Sequence, residues 1–229
     1  MVHQLIFANP KPGMTVEEFQ DYWVNVHAVK YASKIKQIKR YMIDTTMPFM
    51  GEAPLYKGIA EIWLKAEEQI PSLQSPEFLQ GARLDEPNWA AFWETIVVDS
   101  NPHVLLEGAP LTPDPTWVKL IVLNKRKSGM TLQAFRNYSL QVHAPQVLQL
   151  PGLRRYLQCH TVDGAYVLGE ARFDCVWQLW FDDVQAIEHA LASQQYQEVI
   201  KPDWDNFVET KYIFSMVGQE HWVIGPEAR

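Results

Sequence analysis

Two histidines, His27 and His143, each close a stretch that the chain writes twice, GMTVEEFQDYWVNVHA at 13–28 and GMTLQAFRNYSLQVHA at 129–144. Gly, Met, Thr, Phe, Tyr, Val, His and Ala coincide at 8 of the 16 aligned positions. Imidazole suits proton transfer, because an unperturbed pKa of about 6.5 lets it give or take a proton near neutrality. A base alone is weak catalysis, since a developing enolate or phenolate needs donors to hold its charge. The candidate donors are Tyr41 and Tyr156, Tyr22 and Tyr138, and Arg40 and Arg155. Arg40 and Tyr41 are strand neighbours and point to opposite faces, so at most one of each Arg–Tyr pair faces the cavity, and the tyrosines are the favoured choice. Glu61, the single charge in GIAEIWL, is a second acid/base if it points inward and a solvated carboxylate if it points outward. A plainer role for His27 and His143 carries equal weight at this point: each could end its helix by bonding a backbone carbonyl, where the helix C-terminus favours a cation.

The elements that position these groups follow from pattern. Strands VHQLIFAN and WVKLIVLN open the two halves. Thr15 with Glu18 forms a capping box, while Thr131 keeps the cap but faces Ala134. Phe19, Tyr22, Trp23 and Val26 recur at i, i+3, i+4 and i+7, which predicts a helix with one apolar face. Phe135, Tyr138 and Val142 repeat it, with Ser139 in place of the Trp. Strands KRYMID (39–44) and RRYLQCH (154–160) come next, then GIAEIWL (58–64) and CVWQLWF (175–181). Polar helical stretches, SPEFLQGARLDEPNWAAFW and SQQYQEVIKPDWDNF, lead to closing strands ETIVVDS and ETKYIFS and the echoes HVLLEG and HWVIGP. Each half reads β-α-β-β-α-β, the ferredoxin-like order. The fold class is therefore α+β, with residues 1–108 and 117–229 as tandem halves packed sheet to sheet as a single-chain α+β barrel. Residues 109–116, rich in proline, are the linker. The repeat period of about 116 residues is the size of a small domain rather than of a solenoid unit.

Composition narrows the function classes. A formal charge of −7 with both signs interspersed disfavours nucleic acid as a partner. No apolar run approaches the length of a membrane span. Two cysteines, Cys159 and Cys175, and no charged-then-apolar leader fit a reducing cytoplasm without structural disulfides. Nine Trp, nine Tyr and ten Phe supply both core and candidate pocket walls. Neither HExxH, paired CxxC nor a phosphate loop occurs, and histidines at the ends of separate helices do not make a clustered metal site, so no metal is expected. Either histidine could still serve as one axial haem ligand.

PGMTVEEFQDYWVNVHA with KRYMID and GIAEIWL, and SGMTLQAFRNYSLQVHAPQVLQLPGLRRYLQ with WQLWFDD, resemble the EthD family, named for ethyl tert-butyl ether degradation, of the dimeric α+β barrel superfamily. The resemblance covers nearly the whole chain, once per half. It implies a fused version of a barrel that two subunits normally make, alone or as a homodimer of fused barrels. Lyases, cyclases, isomerases, monooxygenases and some haem proteins share that superfamily. The expectation is a cofactor-independent enzyme acting on an apolar, oxygenated small molecule, aromatic or polyketide-like, by elimination, isomerisation or cyclisation. His27 or His143 would move the proton, with Tyr41, Tyr156 and Glu61 assisting and Tyr22, Trp23, Tyr138, Trp63, Trp177 and Arg155 contacting substrate. A haem-binding barrel and a non-catalytic ligand-binding protein are the alternatives. The two copies diverge, with Trp23 against Ser139 and Glu61 against Gln178, so one pocket is expected to work while the other supports it.

Overall fold

A computed structural model describes residues 1–113 and 115–227. The chain forms two compact units. One is Met1–Asp99 with the chain from Gly218 onward, and the other is Ser100–Pro110 with Thr116–Val217.

In the first unit the alternating VHQLIFA becomes β1 (Val2–Ala8), with His3, Leu5 and Phe7 buried on one face. Gly13, at φ +86°, turns the chain in the left-handed region, which costs a side-chain-bearing residue about 1–2 kcal/mol. Helix α1 (Val16–Tyr22) then starts on the expected capping box: the Glu18 N–H donates to Thr15 Oγ1 at 3.1 Å and the Thr15 N–H donates to the Glu18 carboxylate at 2.9 Å. The helix does not keep its 3.6 period. It widens into a π-helical turn over Trp23–His27, closed by the Ala28 N–H on the Trp23 carbonyl. Strands β2 (Arg40–Met47) and β3 (Gly58–Leu64) follow, then the short helix α2 (Gln69–Leu73). A second π turn, Glu77–Ala82, runs into the single helical turn Arg83–Asp85, and β4 (Ile96–Leu106) comes after it.

The second unit repeats the plan with β5 (Val118–Asn124), α3 (Leu132–Tyr138), a π turn at Ser139–His143, β6 (Arg155–Thr161) and β7 (Cys175–Phe181). Helix α4 (Val184–Ala192), a π turn at Gln195–Ile200, α5 (Lys201–Phe207) and the first four residues of β8 (Phe214–Ile224) complete it. Only one arm of the capping box survives here: the Ala134 N–H donates to Thr131 Oγ1 at 3.2 Å, and an alanine cannot reach back.

The sheet order is β4-β1-β3-β2 in the first unit, through Ile96–Asp99 of β4, and β8-β5-β7-β6 in the second, through Phe214–Val217 of β8, the ferredoxin-like order in both, so the α+β reading as two ferredoxin-like halves holds. The closing strands differ from the expected ones. Glu94 and the Thr210–Tyr212 segment lie in 3₁₀ turns, and β4 and β8 run eleven residues each, absorbing most of HVLLEG and HWVIGP. Within the second unit, Ser100–Leu106 of β4 pairs antiparallel with β6, and Pro102 faces Cys159. No helix or strand forms among the described residues of 107–117.

Each first helix is tied to its sheet at the same place. Gln20 Nε2 donates to the Thr46 carbonyl at 2.8 Å in one unit, and Arg136 Nη2 donates to the Thr161 carbonyl at 2.5 Å in the other. Strand alternation sends Ala60, Ile62 and Leu64 toward the helices together with Tyr41 and Ile43, where they join a core containing Phe19, Trp23 and Trp89.

Candidate active site

His27 ends the π turn with its side chain 8% exposed, and its Nδ1 lies 2.9 Å from Asp85 Oδ2. Tyr22 Oη donates to the other carboxylate oxygen, Asp85 Oδ1, at 2.9 Å, and Asn88 Nδ2 donates to it at 3.0 Å. The π turn is what allows this. On an ordinary α-helix, residues five apart stand about 140° apart around the axis, whereas the i→i+5 bonding of a π turn stacks them. Tyr22 and His27 therefore reach one carboxylate.

The second unit builds the same cluster. His143 Nδ1 lies 2.9 Å from Asp203 Oδ2, Tyr138 Oη donates to Asp203 Oδ1 at 2.6 Å, and Asn206 Nδ2 donates to it at 3.1 Å. Neither aspartate was expected from the sequence as a functional residue. The signal lies in DEPNW and DWDNF, an Asp followed three residues later by Asn and then an aromatic, recurring 118 residues apart.

Protonation follows from the surroundings. Burial pushes Asp85 and Asp203 up, but the hydrogen bonds from Asn, His and Tyr outweigh it and hold both carboxyls below their ordinary range. Burial lowers the pKa of His27 and of His143, and the neighbouring carboxylate only partly restores it. Burial and then Asp85 push Tyr22 up to about 12, so Tyr22 stays a donor. At neutral pH the pair is a neutral imidazole donating its Nδ1–H to a carboxylate, which leaves the Nε2 lone pair for chemistry. The indole N–H of Trp89 also lies 3.1 Å from His27 Nδ1, and one nitrogen cannot donate to Asp85 and accept from Trp89 together. The charge-assisted bond is the stronger. The second unit makes it with Phe207, which has no N–H, in the place of Trp89.

The cavities differ sharply. In the first unit His27 opens on a cavity of about 430 Å³ lined by Trp23, Tyr41, Ala60, Ile62, Ala82 and Glu86 among others. That volume falls within the range of small-molecule sites. In the second unit the space beside His143 is about 30 Å³. The β3 and β7 registers put Trp177 where the first unit has Ala60, and the matching helical turns put Ile200 and Trp204 where it has Ala82 and Glu86. Trp177 stacks on His143 with centroids 4.7 Å apart and planes 28° apart. His143 Nε2 is buried with no hydrogen-bond partner. The exchange is compensated: Gly58 lets Trp23 pass, since a Cβ there would lie 2.7 Å from Trp23 Cζ3, whereas Cys175 holds that place opposite Ser139.

Of the residues expected at the site, His27, Trp23 and Tyr41 line the large cavity. Tyr41 is fully buried and shares a hydrogen bond with the Trp23 side chain, and burial pushes its pKa up. Tyr22 holds Asp85 rather than facing the cavity. Glu61 does not reach it, because alternation turns it to the opposite face of the sheet, where its Oε2 lies 2.6 Å from His3 Nε2. Trp63 is turned the same way and lies between His3 and Trp222, at 4.3 and 5.9 Å. In the second unit, His143, Tyr156 and Trp177 surround the small space, with Tyr156 Oη accepting from Gln158 Nε2 at 2.7 Å and Tyr138 on Asp203. Arg155 points to the opposite face, donating to the Glu107 carbonyl at 2.6 Å with its guanidinium over Trp180. Among the described residues no group of three or more His, Cys, Asp or Glu could hold a metal ion, and no helix is long and apolar enough to cross a membrane.

Known proteins are similar to parts of this chain. Dehydratase ustZ of Ustilaginoidea virens is 27% identical over 112 residues, 43% of this chain and 80% of its own. Decarboxylase nsrE of Aspergillus novofumigatus is 29% identical over 115 residues, 44% of this chain and 76% of its own. The solved structure of an anthrone oxidase-like protein matches 99% of this chain and 94% of its own with a TM-score of 0.63 at 12% identity, which shows the fold alone. The profile of the EthD domain matches residues 11–92 and again 127–211. Both matched segments contain the histidine and aspartate of one cluster, and the chain belongs to the EthD domain family, with the domain present twice.

Proposed function

We propose that the chain is a cofactor-independent enzyme acting on an apolar, oxygenated small molecule, and that the first unit holds its working site. The carrying observation is that His27, with Nδ1 committed to Asp85, opens on a cavity of about 430 Å³ while its twin His143 lies under Trp177. His27 Nε2 takes a proton from a carbon next to a substrate carbonyl, and Tyr41 Oη donates to the oxygen on which the charge gathers. The imidazolium, steadied by Asp85, then returns the proton. Given to a β-hydroxyl as the C–O bond breaks, it completes loss of water; given to a different carbon, it completes an isomerisation. A ring closure on the enolate carbon uses the same groups. Relatives named dehydratase and decarboxylase support chemistry that passes through such a carbanion.

The test is deuterium incorporation from D₂O, and product formation, across a panel of β-hydroxy ketones and hydroxylated aromatic ketones. His27→Ala is expected to slow both by about 10²- to 10⁴-fold, with His143→Ala within about twofold of the parent. Equal rates for His27→Ala and the parent would overturn the reading.

A haem reading has less support. His27 Nε2 could serve as an axial ligand with Asp85 behind it. The acidic groups of a porphyrin need cations, however, and Arg83, the one guanidinium in the cavity wall among the described residues, is paired with Glu86 and lies over Phe92. Haemin titration is expected to leave the visible spectrum that of free haemin.

A further inference from the structure

The wall of the large cavity holds a second polar pair that the proton chemistry does not use. Gln4 on β1 and Asp99 on β4 both line it, each half-buried, and Gln4 Nε2 donates to Asp99 Oδ1 at 2.7 Å. That bond occupies one carboxylate oxygen and leaves Asp99 Oδ2 and Gln4 Oε1, both acceptors. Across the sheet Gln4 pairs with Ile62, and Ile62 pairs with Tyr41. Gln4, Ile62 and Tyr41 thus form one transverse row that spans two strand spacings, about 10 Å, with Asp99 bonded at its Gln4 end. Tyr41 meets Trp23, Trp23 meets Trp89 and Trp89 meets His27 through rings 4.7 Å apart, so the reacting groups and the Gln4–Asp99 pair stand at different ends of the row.

The second unit shows what this wall is like without a ligand to recognise. The β1 and β5 registers place Leu120 where Gln4 stands, and β8 carries Val217 where β4 carries Asp99. Both are apolar and buried, and Leu120 lines the small space that Trp177 fills. A half-buried carboxylate in a wall that also carries Ile6, Ile62 and Val97 is costly unless something donates to it. A single amide donor leaves an anionic oxygen over.

We infer that Gln4 and Asp99 form a hydroxyl-recognition subsite that takes a phenol or enol O–H of the substrate, at the end remote from the carbon His27 works on. The inference rests on the proposed function and adds the substrate class, an extended multi-ring or chain-like polyphenol with a free hydroxyl far from the reacting carbonyl. A methyl ether at that position, which has no proton to give, is rejected.

The experiment uses 2,6-dihydroxyanthraquinone, a rigid three-ring probe with hydroxyls at opposite ends, and its 2,6-dimethoxy counterpart, at pH 6, where the phenols keep their protons. Binding is followed by tryptophan fluorescence in the parent and in Asp99→Val and Gln4→Leu, residues the second unit already carries at these places, with circular dichroism to confirm folding. The dihydroxy probe is expected to bind Asp99→Val about 10- to 100-fold more weakly than the parent, the worth of a hydrogen bond to a charged group. The dimethoxy compound should bind both proteins alike. Equal affinity of parent and Asp99→Val for the dihydroxy probe overturns the subsite while leaving the His27 chemistry, read by deuterium incorporation, untouched. Failure of the parent to bind either probe overturns it as well.

Discussion

The Trp177 ring lies 4.7 Å from that of His143, in the strand position that Ala60 occupies beside His27. Trp177 on the third strand, with Ile200 and Trp204, thus separates a packed-over imidazole from one with room for a ligand. Trp177→Ala removes a fully packed indole and is expected to cost about 3–5 kcal/mol of stability. Indole added in solution should refill the space and raise the melting temperature of this variant several degrees more than that of the parent. An equal response of the two proteins would show that Trp177 does not plug a latent cavity.

The reciprocal exchange belongs in the first unit. Trp23→Ser with Ala60→Trp copies the pair that the second unit already packs as Ser139 and Trp177. The double variant is expected to fold, with circular dichroism like the parent's, and to lose deuterium exchange and probe binding together. Retained turnover in a folded double variant would move the working site elsewhere.

Much of this was legible in the sequence, for definite reasons. The two helix sentences and the paired strands gave β-α-β-β-α-β twice, because apolar alternation and capping are local properties. The contrast of Trp23 with Ser139 pointed to unequal pockets. The sequence did not reveal the π turns, since the same apolar spacing satisfies an ordinary helix. Those turns decide that Tyr22 and His27 meet on Asp85. Asp85 and Asp203 lie about 60 residues from their histidines in helical stretches that read as polar and solvated, and only the recurrence of Asp-x-x-Asn before an aromatic set them apart. Glu61 was the reverse case: a lone charge in an apolar strand suggested chemistry, but the pleat turns it to His3.

Asp85→Asn tests the dyad. An amide cannot balance the imidazolium and no longer selects the Nδ1–H tautomer, so turnover is expected to fall about 10- to 100-fold or more. The bond and charge of Asp85 raise the His27 pKa against burial, so their loss should move the acid limb of the rate profile to lower pH. Asp203→Asn is the control. It breaks the same contacts and should cost similar stability, about 1–3 kcal/mol, with turnover unchanged. Equal losses of turnover in the two variants would show that the effect is structural.

Stability against pH provides a last check on burial. Burial lowers the pKa of His27, His143 and His160, the last to about 3 with His103 and Arg136 adding to the effect. The unfolded chain takes up protons at these sites near pH 6.5, and the folded chain does not. Their contribution is therefore complete above about 6.5 and is lost as the pH falls toward each folded value. Asp85 and Asp203, held below their ordinary range, act in the same direction only below about 4; between about 6.5 and 4 the histidines act, against Glu86, whose carboxyl burial pushes up. At pH 5 His160 alone should cost about 2 kcal/mol relative to pH 7.5. Urea unfolding of the parent and of His160→Gln at both pH values reads this directly. The variant is expected to lose about 2 kcal/mol less than the parent on acidification, and parallel losses would mean that His160 is protonated in the folded protein.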